Sequence, residues 1–510
     1  MSDLQFKRLV VVIGGLFAAL YLGYKVGTDS WALGAAACLA AVYYLTMRTF
    51  RVTHETLILS FLVFGYIVGN RGFAQITPLG NLPIFLGELG LFIGSFSILL
   101  HIPFRREFPF RLNALSIAIL IWVTYGAIHT YFDLKTFGLI AMRDFAMVYY
   151  ALYFFLAHPM ARDPRSRRFF VGSLSAALIL LIPFFVLFTN FPAFFYYSLV
   201  VDGAPLIAYK GDLVGAYCAM GFFFFFLVPP KNLRLPGLIL GLVCLAITLY
   251  TTSRAAWVGL ALGFGVLLFV RKHHVFRTLG AAALIAVIPM SIYFGFFVED
   301  IEQTHLYGFY EHLLSIADIS GTGNYQNVAS ASSGANNRYR LEWWTVVLQD
   351  TWRSAPLTGL GFGYNLTDHF ILKYFNLISD DFSVRSPHSI LMSVFGRTGI
   401  LGIILFSFVI LGMVKSTWLS VEISRTTHGT SKSLPYWCMV WAIFGSACFG
   451  VVLEGPMGAI VFWTLLGVAN ARTLDESTEF ETSTSPHQIK VQRPEQNRTI
   501  PLLPKIGNIR

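Results

Sequence analysis

Apolar residues in this chain come in long unbroken runs separated by short polar stretches. The runs 169–188, 235–250 and 278–297 each approach the roughly 20 residues that cross a hydrocarbon core. Backbone polar groups cannot stay unpaired in lipid, so such runs form helices or the strands of a closed barrel. Barrel strands alternate apolar and polar positions, and these runs do not. The pattern predicts spans near 10–24, 31–47, 56–70, 80–101, 112–132, 137–157, 169–188, 213–229, 235–251, 256–270, 278–297, 389–414, 434–453 and 458–471. That is about fourteen helices, or about twelve if the short segments pair up or lie in the interface. The expected fold is an all-α, polytopic integral membrane protein. Its parts are spans over 1–297, a large and partly helical loop over 298–388, further spans over 389–471 and a polar tail over 472–510.

Composition agrees. Hydrophobic residues make up 55% of the chain and charged ones 13%, where a soluble domain carries about 25% charged. The five cysteines, Cys38, Cys218, Cys244, Cys438 and Cys448, all fall inside expected spans and read as packing residues without a disulfide framework. Lys7 and Arg8 precede the first apolar run, but no convincing small-residue cleavage site follows, so that span is expected to be retained. The tail is rich in Ser, Thr, Glu, Gln and Pro and reads as disordered.

Charge sets the orientation. Alternate loops hold Lys7-Arg8, Arg48/Arg51, Arg105-Arg106/Arg111, Arg162/Arg165/Arg167-Arg168, Lys231/Arg234, Arg271-Lys272/Arg277 and Lys415/Arg425/Lys432. Lys and Arg gather on the cytoplasmic side. Both termini are therefore expected in the cytoplasm, with the loop 298–386 on the periplasmic face. The net charge of +10 is this bias, which suits anionic membrane lipids and requires no nucleic acid.

Ionisable groups in or beside the membrane without a topogenic reason are functional candidates. Arg143-Asp144 lies about two turns inside the outer end of its span. Lys210 and Asp212 stand at the outer start of another. Arg254 occupies a tight outer connection between two apolar helices. Glu88 and Glu454 read as structural hydrogen-bonding groups. Arg385 and His388 end the long loop. Each has a bland reading, as local pair, headgroup contact or cap; their convergence on one face is what points to a site.

Within the loop, 316–337 is rich in Ser, Gly, Asn and Ala and reads as flexible. Asn337 is then expected to cap a helix over Arg338–Trp352, with Leu341, Trp344, Leu348 and Trp352 at helical spacing and Pro356 beyond its end. Gly359, Gly361 and Gly363 do not form a dinucleotide fingerprint, because no strand precedes them and the third spacing is wrong. They permit a tight turn or a close backbone approach to a ligand. Asp380-Asp381 reads as a solvated pair, and no ligand spacing for a metal is evident.

Three pieces, in this order, resemble the O-antigen ligase and O-antigen polymerase superfamily of bacterial membrane glycosyltransferases. The first is Thr252-Ser-Arg254-Ala-Ala-Trp257. The second is Arg338-Tyr-Arg340 through Trp343-Trp344, Pro356 and the Gly359–Gly363 run. The third is His388-Ser389, followed by Gly399-Ile-Leu-Gly402. Val258 stands where ligases favour Leu, a conservative departure. The resemblance runs over roughly residues 137–471 and implies a GT-C-like membrane enzyme in the bacterial inner membrane. Its donor would be an undecaprenyl-pyrophosphate-linked glycan, and its acceptor lipid A-core or another glycan.

A diphosphate at the membrane surface calls for fixed cations, and guanidinium is the better fork for its oxygens. Arg254 is the catalytic candidate among them, with Arg143, Lys210, Asp212, Arg338, Arg340 and Arg385 as substrate-binding candidates. His388 would orient or deprotonate the acceptor hydroxyl. No cofactor or metal is expected, and direct attack would invert the anomeric carbon. The histidine spacing favours a ligase over a polymerase, with a protein O-glycosyltransferase a third option. From another class, a polysaccharide flippase is disfavoured by the one-sided charge and the absence of an internal repeat.

Overall fold

The computed structural model describes residues 45–77, 84–105, 110–201, 203–229, 231–251, 253–270, separate positions between 307 and 325, then 328–375, 385–426 and 431–484. The spans expected at 10–24 and 278–297, most of 31–47, Asp380-Asp381 and the end of the tail lie outside those residues.

The apolar runs are helical where described. In chain order they are α1 (His54–Val68), α2 (Leu86–Arg105), α3 (Ala114–Phe137), α4 (Ile140–Tyr149), α5 (Tyr153–Arg162), α6 (Pro164–Asn190), the short α7 (Pro192–Tyr197), α8 (Gly211–Leu227), α9 (Arg234–Tyr250) and α10 (Arg254–Val270). After these come α11 (Val328–Ser354), α12 (Asp368–Phe375), α13 (Ile390–Thr426), α14 (Leu434–Cys448) and α15 (Pro456–Thr484). A hairpin of β1 (Val200–Val201) and β2 (Ala204–Pro205) is the sheet among the described residues. Five segments are long and apolar enough to cross a membrane: α3, α4 with α5, α6, α13 and α15. The chain is thus an all-α polytopic membrane protein.

Local chemistry sets the helix starts. Thr53, Asn113 and Asp163 each accept a backbone N–H of the first turn of α1, α3 and α6. Pro164 follows Asp163 at the position where a missing N–H is harmless. The main core is an apolar cluster of the membrane helices that buries Trp122, Trp437 and Trp463, and a second, smaller cluster around Trp343 and Phe370 joins α11 to α12. Cys218, Cys244 and Cys438 lie buried in the main core as free thiols.

The connections sort into two ends. At one end Asn70 Oδ1 accepts the Lys210 N–H at 3.3 Å, and Arg340 donates to the Phe449 carbonyl at 2.8 Å. At the other, Arg162 faces Asp475 at 3.8 Å, and Arg111 donates to Thr478 at 3.0 Å. Charges that the sequence assigns to opposite faces are therefore segregated.

Three expectations need correction. Helix α11 starts at Val328, so 328–337 is helical and Asn337 is no cap. Its side-chain amide instead holds the Ser315 and Asp318 carbonyls at 2.9 and 2.8 Å, interactions that a local reading cannot supply. The helical spacing of Leu341, Trp344, Leu348 and Trp352 does fall on a helix, with Trp344 turned inward and the other three exposed. Helix α15 continues to Thr484, past the point where disorder was expected. Glu476 is buried there, accepting from Ser433 Oγ at 3.0 Å and the Lys432 N–H at 2.6 Å, which ties the helix to the start of α14.

Candidate functional site

Segment 385–389 is held residue by residue from different parts of the chain. Arg385 donates to the Gly363 carbonyl at 2.6 Å and reaches Asp144 at 3.4 Å. Ser386 donates to Glu454, which also accepts Ser393 Oγ at 2.5 Å. The Pro387 carbonyl accepts the Trp344 indole N–H at 2.7 Å. Ser389 caps α13. Between these anchors His388 takes φ +55°, a left-handed conformation uncommon outside glycine and maintained only where the surroundings fix it. Its ring sits 5.6 Å, centroid to centroid, from Trp343, which itself stacks on Phe370.

Around that ring lies a cationic group. Burial, and then the charges of Lys210 and Arg340, lower the His388 pKa to about 4, so the free imidazole is neutral at pH 7. Arg340 is drawn below its ordinary value by burial. It donates to Phe449 O, while its Nε is buried with no hydrogen-bond partner among the described residues. Lys210 pairs with Asp212 at 3.3 Å. Arg254 opens α10 at the tight connection after α9 and donates to the Asn337 side chain. It stands close enough to Arg340 for the two charges to repel. Helix α10 is pressed onto α14 at Gly259 and Gly445, where a Cβ on either would collide with the other helix. That contact sets Arg254 at the Phe449 end of α14.

The structure thus brings together Arg254, Arg340, Lys210, Asp212 and His388, and leaves three candidates apart. Arg338 is exposed and faces Glu342 at 3.6 Å, because two residues along a helix turn it well away from Arg340. Arg143 is exposed while its neighbour Asp144 points inward. Arg385 is committed to Asp144 and Gly363.

Asp144 belongs to a second group. Arg397, buried in α13, donates to it at 2.7 Å and to the Tyr364 carbonyl at 3.2 Å, and the Gly363 N–H reaches it at 3.1 Å. Helix α13 is broken at Gly399, φ +63°, and the turn 356–361 fills the break. Leu360 N and Gly361 N donate to Gly396 O and Arg397 O at 2.8 and 3.1 Å, while Ile400 N and Leu401 N donate to Pro356 O and Leu357 O at 2.9 and 3.1 Å. A Cβ at Gly399 would lie 2.5 Å from the Gly359 nitrogen, and Gly359, Gly361 and Gly363 all have positive φ. The glycines serve close approaches: the broken helix comes against Gly359, while Asp133 and Phe137 of α3 come against Gly361 and Gly363. Asp133 accepts the Phe362 N–H at 2.6 Å and pairs with His129 at 2.7 Å.

Residues 239–407 match the family model described as O-antigen ligase. This bears out the resemblance to the O-antigen ligase and polymerase superfamily. The matched stretch holds Arg254, Arg338, Arg340, Arg385 and His388; Lys210, Asp212 and Arg143 lie outside it. It supports glycosyltransferase activity of the ligase or polymerase type on lipid-linked glycan substrates in the membrane. No curated protein matches the chain.

Arg397, Asp133 and His129 were not among the candidates. Arg397 carried a readable signal: a lone arginine about two and a half turns into an apolar span demands a buried partner. His129 and Asp133 stand at the i, i+4 spacing of a helix-face pair.

Proposed function

We propose that the protein moves a glycan from a polyprenyl diphosphate carrier to an acceptor hydroxyl at the periplasmic face, and that it is an O-antigen ligase with lipid A-core as acceptor. The observation that carries this reading is the gathering of Lys210 and Arg340 beside the neutral, half-buried His388, with Arg254 next to Arg340.

In this mechanism the diphosphate lies against the three cations, and one of its oxygens takes the unpaired Arg340 Nε donor. The acceptor oxygen attacks the anomeric carbon as the carbon–oxygen bond to the diphosphate breaks, and the electron pair leaves with the diphosphate. Negative charge grows on that group in the transition state, where fixed guanidinium donors stabilise it more than in the ground state. The acceptor proton passes to a ring nitrogen of His388. Displacement opposite the leaving group inverts the anomeric carbon. The chemistry balances without a metal ion.

Purified protein, lipid-linked donor and lipid A-core, assayed in excess chelator, test the reading. Glycan transferred to lipid A-core is the expected product. A longer chain still on the carrier identifies a polymerase instead. A deletion strain separates the same options, since a ligase defect piles finished polymer on the carrier and a polymerase defect leaves single repeats. Loss of transfer that magnesium or manganese restores overturns the cationic mechanism.

A further inference from the structure

The segment after α11 runs alongside α3, its first residues lying farthest from the Phe137 end. A Cβ at Gly363 would strike the Phe137 side chain, and one at Gly361 would lie 2.6 Å from Asp133 Oδ1. Further back, Thr358 O is 2.8 Å from His129 Nε2, and Tyr125 OH donates to the Thr398 carbonyl on the broken turn of α13 at 3.1 Å. Residues 363, 361 and 358 therefore lie beside 137, 133 and 129. At about 1.5 Å per helical residue the turn extends roughly 12 Å along α3.

That depth is lipid-facing. On α3, Ile128, Tyr131 and Phe132 are exposed at the same height, with Lys135 extended over the Tyr131 ring at 5.4 Å, as residues of a membrane–water boundary are. Non-helical backbone survives at such depth only where protein satisfies its polar groups. The four bonds between 356–361 and 396–401 do so.

The side chains agree. Leu348, Trp352 and Leu357 are 41%, 64% and 60% exposed. Leu348 and Trp352 share one face of α11, with Leu341 a further two turns back. Leu357 O accepts the N–H of Leu401, which with Ile404 begins the exposed apolar face of α13. The exposed apolar face of a membrane helix thus adjoins Leu357, which follows the exposed Leu348 and Trp352 of α11, with Gln349, Arg353 and Ser354 exposed among them.

We propose that residues 348–357 form a re-entrant edge of the large loop, seated in the bilayer leaflet on the Arg254–His388 side with Leu348, Trp352 and Leu357 against phospholipid. Arg353, exposed beside Trp352, then reaches the phosphate headgroups. The loop is anchored in the membrane rather than standing clear of it. This inference is independent of which glycan is transferred.

Trp352 reports on its own surroundings. The full chain carrying Trp418→Phe, which removes the other strongly exposed described indole, is reconstituted in nanodiscs of phospholipid brominated near the carbonyl end of the chains. Emission is compared with and without a further Trp352→Phe. The expected result is a quenched component that disappears with Trp352, and little quenching of that component by aqueous acrylamide. Quenching by acrylamide but not by brominated lipid places the edge in water and overturns the proposal. Quenching by neither shows it covered by protein, a second copy included, and overturns it equally.

Discussion

Two groups of arginines lie at the same end of the molecule and are held in opposite ways. Arg397 is buried with a carboxylate, Asp144, at 2.7 Å and a carbonyl at 3.2 Å. Arg340 is also largely buried, yet it has one carbonyl and an unpaired Nε, and of the nearby charges Asp212 attracts it while Arg254 repels it. A buried charge with its partners in place is part of the scaffold; one left short of them among other cations is ready for an anion that arrives from outside. Arg385, though close in sequence to His388, has the Asp144 carboxylate and the Gly363 carbonyl as partners, although its Nε, like that of Arg340, is buried without one among the described residues. Its guanidinium links Asp144 to the glycine turn and so holds the histidine segment in place.

If that division is right, the two groups fail differently when cut. His388→Ala should slow single-turnover transfer by about 100- to 10,000-fold, the span of a lost general base, with donor affinity and thermal midpoint unchanged. Arg254→Ala should cost about 100- to 1,000-fold in rate. Arg254→Lys should recover little of it, since ammonium lacks the planar fork. Wild-type transfer by His388→Ala would make the histidine structural and leave the arginines alone to carry the mechanism.

Asp144→Asn addresses the scaffold. Its shape is kept but the charge opposite Arg397 is lost, and removing one partner of a buried pair costs about 3–5 kcal/mol. A clear fall in the thermal midpoint of the reconstituted protein is expected. Arg143→Ala next to it, exposed in the structure, should stay within about 0.5 kcal/mol of wild type. Equal effects at the two positions would break the distinction drawn between them.

The same contrast explains what could be read from the sequence. Helices were legible because runs such as 169–188 meet a length rule imposed by the bilayer, and α6 and α9 fall where that rule puts them. His388, Arg254, Arg340 and Lys210 were legible because a charge at a membrane boundary needs a reason. Which neighbours face inward was not. Arg338 and Arg340, or Arg143 and Asp144, differ only in helical phase, and the sequence does not say where the rest of the protein lies around each helix. Asn337 shows the same limit: its spacing fits a helix cap, but its partners Ser315, Asp318 and Arg254 come from folded distance. The glycine run read as a tight turn or a close approach to a ligand, and the choice stayed open because the break at Gly399, which the turn fills, becomes visible only in three dimensions.

The smallest expected effect concerns protons. In the free protein His388 titrates at about 4, held there first by burial and then by Lys210 and Arg340, with Asp212 opposing them. A bound diphosphate offsets the two cations but not the burial, so the pKa should rise part of the way toward the ordinary value of about 6.5. A ligand that raises a pKa binds the protonated form more tightly, so donor affinity should increase as pH falls through the pKa of the complex. The diphosphate linkage carries strongly acidic groups and does not itself titrate in that range. For a rise of about one unit, linkage gives roughly a twofold gain in affinity between pH 7 and pH 5. The gain should vanish in His388→Gln, which retains a polar side chain but has no proton to take up. Calorimetric titration of the wild type and this variant with lipid-linked donor at pH 7, 6 and 5 measures it. An affinity in the wild type that is flat with pH, or that falls on acidification, would mean that the diphosphate does not lie beside Lys210 and Arg340. The unpaired Arg340 Nε would then need another anion to explain it.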